Sequence, residues 1–540
     1  MDIKYKVDEK NFCIVDCLSE KSGDGDRNFH IIGNSLKFCK TNNLPGIKFT
    51  NGVFPVFNKR AIELQKKLMF GEVSPTDNLY WNNHKNVLFD FSGRDGFSVI
   101  GNGTVFMAAG LMGIFDFTNV KNLTIEGIKV DWIEPLFFNA KVEGIINKRI
   151  TVRALSKTSF IGGEPIVSFQ NYDIITGRQK GMCVFCGISN LQKEENGLIS
   201  FTSEDTEGLT VGDGIIARYI YNFAPVIHFY CCENINIENV TVNTSAGMGV
   251  IAHKCKNLNF RNYKDMPANG RIMSTITDAT HFISCCGSIN FDNCYFEGMG
   301  DDAVNVHGFY LTIKEIIGKD TVIAVQSADS QDGIIDMPDE MNHVEFIDGR
   351  TLSPFKKGVI KNVCLNGNNN EITISFFEEL SEGVSIGTLI GNTDKTAKLF
   401  FKNSKVNNIR GRALLVQTRG AEIRNNLFEN CTGQAIHIDT ANGWMESIGT
   451  RDITILENKF IDCGFGITKY CDAVGVVVET EAEQPTPGVH RDIAILDNYV
   501  QGENVGIKIM CANDVKISGN TFSGCRGKYE ISFSENVWIE

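Results

Sequence analysis

The chain lacks the features that mark membrane, nucleic-acid-binding and disordered proteins. No stretch approaches ~18 consecutive apolar residues, and the opening MDIKYKVDEK has no apolar core of the kind a secretory leader needs, so neither a membrane span nor a signal peptide is expected in it. Lys and Arg never cluster and the formal net charge is -13, which excludes the dense positive surface that phosphate backbones and anionic lipids require. No nucleic-acid partner is therefore expected. Proline is scarce, 11 residues against 52 glycines, which points to many tight turns between ordered segments and not to a Pro-rich disordered chain.

Cysteine is plentiful, 17 residues, but the odd count rules out complete internal pairing. Cys431, Cys463 and Cys525 each follow a repeated Asn by five positions and read as small core side chains in one equivalent slot. The CVFC at Cys183 to Cys186 has no second ligand pair nearby, so no zinc or redox site is expected there.

At 540 residues the chain needs several domains or one extended repeat. A repeat is present. A short alternating strand, an Asn and a second short strand recur in KNLTIEGIKV from Lys121, ENINIENVTV from Glu233, KNLNFRNYKD from Lys256 and GSINFDNCYF from Gly287. The phrase returns in AEIRNNLFEN from Ala421, RDITILENKF from Arg451, RDIAILDNYV from Arg491 and NDVKISGNTF from Asn513. Apolar and polar residues alternate with the strand period of two. Spacings run from 22 residues (Asn498 to Asn520) and 23 (Asn239 to Asn262) to 32 (Asn426 to Asn458), as coils of fixed core and variable loop require. The expectation is an all-β, right-handed parallel β-helix. Its repeated Asn would tolerate the left-handed turn conformation and bond the Asn of the coils above and below.

Two stretches lose the Asn repeat but keep strand-like segments: AKVEGII, RITVRAL and NGLISFT within 137–216, and LTIKEII, DTVIAVQ and NEITISFF within 311–396. Both are expected to be inserted antiparallel β-barrel-like domains. The resulting division is a cap and first coils (1–136), the first insert (137–216), coils 217–310, the second insert (311–396) and the C-terminal coils (397–540). AIELQKKLMF from Ala61 is the helix candidate of the cap.

The passage STITDATHFISCCGSINFDNCYFEGMGDDAVNVHG, from Ser274, concentrates the chemistry. Asp278 precedes Ala-Thr-His-Phe and Asp302 precedes Ala-Val-Asn-Val, 24 residues later, or about one coil. Coils stack at roughly 4.8 Å, so Asp278, Asp301 and Asp302 should converge on one face. Crowded carboxyls separate into an acid that keeps its proton and a base that stays ionised, the pairing glycoside hydrolysis uses. A calcium site is the alternative use of three carboxylates.

MGDDAVNVHG, TDATHF, IKVDW (Ile128 to Trp132), VGDGIIARYIYNFAPVIHF from Val211 and NGWMES from Asn442 together resemble glycoside hydrolase family 110. The resemblance implies an inverting exo-α-1,3-galactosidase with no metal or organic cofactor. Its substrate would be a carbohydrate ending in α-galactose, of the blood group B type or linear. It also implies a periplasmic or secreted enzyme if a leader has been removed, and a cytoplasmic one otherwise; a homodimer is left open. The three-Asp layout resembles polygalacturonases more distantly, but their Gly-His-Gly loop and Arg-Ile-Lys motif are missing, with only VHG after the Asp pair. By analogy with that layout Asp301 is the general acid, and Asp278 with Asp302 positions and deprotonates water.

Coil alignment puts Arg412 and Gln434 on the row of Asp302, and His437 level with Asn305, as sugar-hydroxyl candidates or a structural polar row. Trp444 and Glu446, on a loop after Asp439, suit stacking on a sugar face and accepting its hydroxyls, or ordinary loop packing. His307 either contacts substrate or ends its strand, and Asp131 with Trp132 is a pocket wall or a buried structural pair. The competing functions are a β-helix hydrolase or lyase acting on another glycan and a non-enzymatic glycan-binding β-helix.

Overall fold

A computed structural model describes residues 5–16, 24–75, 80–81, 85–155, 165–180, 187–328, 330–367, 370–466 and 471–540. The fold is the parallel β-helix expected. Each coil runs through three strand ladders and pairs in parallel register with the coils on either side. One ladder stacks Glu233–Glu238 on Lys256–Arg261 and Cys286–Asp292, then continues through Lys398–Lys402 to Glu535–Ile539. The short second ladder includes Lys264–Asp265, Tyr295–Glu297 and Lys405–Ile409. The third stacks Ile227–Tyr230, Val250–His253, Thr280–Ile283, Val304–Phe309, Leu414–Val416 and Ile436–Ile438.

Period-two alternation explains the core. Leu258 and Phe260 face inward while Asn259 and Arg261 face out, and the next coil repeats this with Ile289 and Phe291. Parallel stacking brings like side chains together: Phe401, Phe428 and Phe460 form a column with centroids 6.0 and 5.3 Å apart, each contact worth about 0.5–1.5 kcal/mol beyond area burial.

The repeated Asn resolves into two adjacent columns. In one, Asn239, Asn262, Asn293, Asn403, Asn425, Glu457, Asp497 and Gly519 all hold positive φ at the corner between the first two ladders. In the next, Asn426, Asn458, Asn498 and Asn520 hold ordinary φ and form a buried amide ladder, with Nδ2 to Oδ1 distances of 2.9, 3.0 and 2.9 Å. The left-handed turn and the inward ladder are thus separate jobs, and only the first tolerates Glu, Asp or Gly. Cys431 and Cys463 are buried and Cys525 partly so, all as free thiols; CVFC lies outside the described residues.

The two inserts leave from opposite ends of the third ladder. Residues 137–218 hold a six-stranded antiparallel sheet that is open in strand order; it follows Lys121–Trp132 and ends just before Ile227–Tyr230. Residues 311–392 form a closed six-stranded barrel following Val304–Phe309. In the cap, Lys59–Met69 is the expected helix, with Asn58 Oδ1 accepting from the Ala61 N–H at 2.8 Å. A second helix, Gly25–Thr41, was not anticipated. Its buried face carries Asn28 and Ser35 beside Ile32, Leu36 and Cys39, so the apolar period is broken by polar residues.

Candidate functional site

Asp278, Asp301 and Asp302 sit just before Thr280–Ile283 and Val304–Phe309, at the ends of the third ladder that face the first insert. Register puts Thr280 beside Val304, hence Asp278 beside Asp302. The Asp302 N–H donates to Asp278 Oδ1 at 3.1 Å. Each of the three contributes an oxygen within 4.8 Å of the others. Two glycines permit this approach. A Cβ on Gly300 would meet the Ile276 carbonyl and Arg218, and one on Gly411 would come within 2.7 Å of Asp302 Oδ1.

Charge is compensated group by group. Asp302 is buried and held bidentate by Arg412, Nε to Oδ1 at 3.0 Å and Nη2 to Oδ2 at 2.6 Å, with the Arg412 backbone N–H adding a bond of 2.8 Å. Arg410 Nη1 donates to Asp301 Oδ1 at 3.0 Å and to the Gly300 carbonyl at 3.1 Å. The buried Arg218, at the end of the first insert, reaches the same carbonyl at 3.2 Å and buttresses the turn. Asp278 Oδ2 faces His281 Nδ1 at 2.7 Å. Burial pushes the Asp302 carboxyl up to about 6, with Asp301 and Asp278 adding to the rise and Arg412 opposing it. Asp278 is raised by burial too, against the pull of His281. Asp301 differs from both in being 39% exposed at its side chain.

Asp278, Asp301, Asp302, His281, Arg410 and Arg412 line a cavity of about 210 Å³ that also takes in Asn305, Trp444 and Glu446. Trp444 is half exposed at the wall. Asn305 is buried and its Oδ1 has no partner among the described residues, leaving an acceptor at the cavity. The Trp444 loop is carried there because Gly308 and Phe309 pair antiparallel with Ser447 and Glu446.

Five of the residues singled out in the sequence do not line the cavity. Gln434 is fully buried, and on its coil Gly433 lines the cavity instead; row position alone did not reveal which way the side chain turns. His437 is level with Asn305 through Leu415, but it is buried against Glu479 at 2.8 Å and backs Arg412 at 3.5 Å. His307 lies beneath the wall, bonded to His281 at 2.8 Å. Asp131 and Trp132 form a buried pair away from the cavity, Asp131 bound by Arg271 at 2.6 Å and Trp132 Nε1 by the Gly110 carbonyl at 3.1 Å.

The sequence reading missed Arg410, His281, Asp439 and Gln331 at the wall. Arg410 and His281 stand two and three residues from positions already singled out. Gln331 had no such signal. It lies on a strap of the second insert, between Thr321–Gln326 and His343–Ile347, which crosses the outer face of the third ladder. Asp332 bonds His253 Nδ1 at 2.8 Å and lies 3.5 Å from His228 Nε2; Asp336 faces His253 Nε2 at 3.2 Å and accepts from Ser284 Oγ at 2.5 Å. Two carboxylates on one imidazole hold His253 protonated, pushed up to about 10 even against burial.

Fold and site together define a parallel β-helix protein with a short pocket of arginine- and histidine-paired carboxylates. No family model matches the chain. It is 26% identical over 432 residues to α-1,3-galactosidase B of Bacteroides thetaiotaomicron, covering 74% of this chain and 69% of that one. It is also 25% identical over 515 residues to α-1,3-galactosidase A of Shewanella woodyi, covering 91% and 82%. These homologues bear out the resemblance to glycoside hydrolase family 110. Among solved structures, a Yersinia enterocolitica family 28 exopolygalacturonase aligns over 97% of this chain and 78% of that one, at 11% identity and a TM-score of 0.40.

Proposed function

We propose that this protein is an exo-acting α-1,3-galactosidase that releases terminal α-galactose with inversion, using Asp278, Asp301 and Asp302. The observation that carries the reading is the convergence of the three carboxylates in one small pocket of a chain whose homologues are α-1,3-galactosidases. At about 210 Å³ the pocket is smaller than the ~300–1,000 Å³ of sites for drug-sized ligands. That size suits one terminal sugar ring and not a threaded polymer.

The exposures of the carboxyls support a division of labour. Asp301, open to solvent, recovers a proton after each turnover and serves as general acid. Asp278 and Asp302, buried and tied to each other, hold the water. As the water oxygen bonds to the anomeric carbon, one water proton passes to the Asp278/Asp302 pair. The glycosidic C–O bond breaks, and Asp301 protonates the departing oxygen. The closest oxygens, within 4.8 Å, are nearer than the roughly 6.5–9.5 Å of ordinary inverting pairs. The stereochemical assignment therefore rests on the family resemblance.

Proton NMR of the hydrolysis of an α-1,3-galactobioside tests the reading. β-Galactose is expected first; α-galactose first overturns inversion, and no release of galactose overturns the activity. Branched B trisaccharide and an α-1,4-galactoside run in parallel set the linkage and branch preference.

A further inference from the structure

Asp278, His281 and His307 form an unbroken line of short contacts whose protons can be counted. His307 Nδ1 faces the Gly308 carbonyl at 2.9 Å. A carbonyl only accepts, so this nitrogen carries a hydrogen. His307 Nε2 faces His281 Nε2 at 2.8 Å, and two ring nitrogens that close need one proton between them. His281 Nδ1 faces Asp278 Oδ2 at 2.7 Å, and that contact needs one more. Three contacts hold three protons. Two neutral imidazoles and a carboxylate supply only two, so the set carries one extra proton and no net charge.

All three side chains are buried, so a missing proton would leave two lone pairs face to face out of water, a cost of several kcal/mol. The surroundings favour retention. Asp302 and Asp301 stand against Asp278, Glu446 Oε1 lies 3.9 Å from His307 Nε2, and Asp336 of the strap lies on the same face.

We infer that His281 is the positioning residue of Asp278: it holds the extra proton, keeps Asp278 a carboxylate beside Asp301 and Asp302, and is fixed in orientation by His307. This deepens the proposed function, since it names what keeps the water-binding carboxylate ionised among like charges. His281 then gives Asp278 the cation that Arg410 and Arg412 give Asp301 and Asp302. Each of the three carboxyl groups has its own basic partner.

The test has an arm that needs no substrate. Long-range ¹H–¹⁵N NMR on the histidine-labelled whole protein should show His281 protonated at both nitrogens and His307 as the Nδ1–H tautomer from pH 5.5 to 7.5, each assigned by loss of its signals in His281→Gln and His307→Gln. A His281 that titrates near 6.5, or a His307 protonated only at Nε2, overturns the inference whatever the enzyme acts on. In the kinetic arm, His281→Gln should cut kcat at least tenfold with KM changed less than threefold, and should move the acid limb of kcat/KM upward by about one pH unit. That direction follows because Asp278 without its cation keeps its proton to higher pH. An unmoved limb in a folded variant overturns it. A wild-type protein that releases no galactose sinks the proposed function and leaves the NMR arm to decide this inference alone.

Discussion

Asp302 is bound through its backbone to one carboxylate and through its side chain to Arg412: its N–H donates to Asp278 Oδ1 while both of its own oxygens are held by the guanidinium. Two coils and a third are thereby locked around one carboxyl. The rows of the helix set the spacing of the site, and side-chain pairing sets its charge.

Asp301→Asn removes the proposed proton donor but keeps an acceptor oxygen for Arg410, at a side chain that is 39% exposed. A fall in kcat of about 10²–10⁴ is expected, the usual contribution of a general acid, with the melting temperature unchanged. Turnover measured beside a thermal melt checks it. Near-normal turnover would remove Asp301 from the chemistry.

Arg412 holds the Asp302 carboxyl below where burial alone would push it. Arg412→Ala should therefore raise that carboxyl above about 6 and shift the acid limb of kcat/KM to higher pH. Arg412→Lys keeps the charge but loses the fork, so its shift should be smaller. A pH profile of the two variants decides, and a downward shift in either contradicts the assignment.

Asp265 is wholly buried, and burial pushes its carboxyl up to about 8 against the pull of the Ser274 hydroxyl. The folded state then binds one more proton here than the unfolded state between about pH 4 and 8, so stability falls as pH rises through that window, by up to about 1.4 kcal/mol per pH unit. Asp265→Asn should flatten this part of the stability curve. Urea midpoints between pH 4.5 and 7.5 that run parallel in the two proteins would refute it.

Asn458 accepts from the backbone and side chain of Asn426 and donates to Asn498 and to the Ile423 carbonyl. Asn458→Ala orphans several buried polar groups and should cost about 3 kcal/mol or more. Asn259, in an outward ladder with Asn236 and Asn290, is more open to water; Asn259→Ala should cost less than about 1 kcal/mol. Denaturant unfolding of both variants measures the contrast.

Most of the fold was legible because stacking in register turns a three-dimensional column into a one-dimensional repeat. Asp278 and Asp302 could be paired by counting 24 residues, and Asn305 and His437 could be placed on one row in the same way. Counting gives the row but not the direction of a side chain at a corner, so it left Gln434 as either a sugar-hydroxyl candidate or a structural polar residue, and the side chain is buried. The repeated Asn looked like one signal because its two columns are adjacent in sequence, and only backbone φ separates them. Gln331 was not legible at all: its strap has no period, and its place comes from Asp332 and Asp336 meeting His253, 79 and 83 residues earlier.

That strap gives the pocket one wall that does not belong to the stacked coils. The carboxylates and their arginines belong to coils whose spacing cannot change without breaking every ladder, whereas Gln331 comes from a strap that runs off the second insert and is held to the third ladder by Asp332 and Asp336 on His253 and by the Met337 carbonyl on Lys254. Gln331 can be exchanged, and one wall of the pocket redrawn, while Asp332 and Asp336 keep the strap on His253 and the stacked rows beneath stay in register.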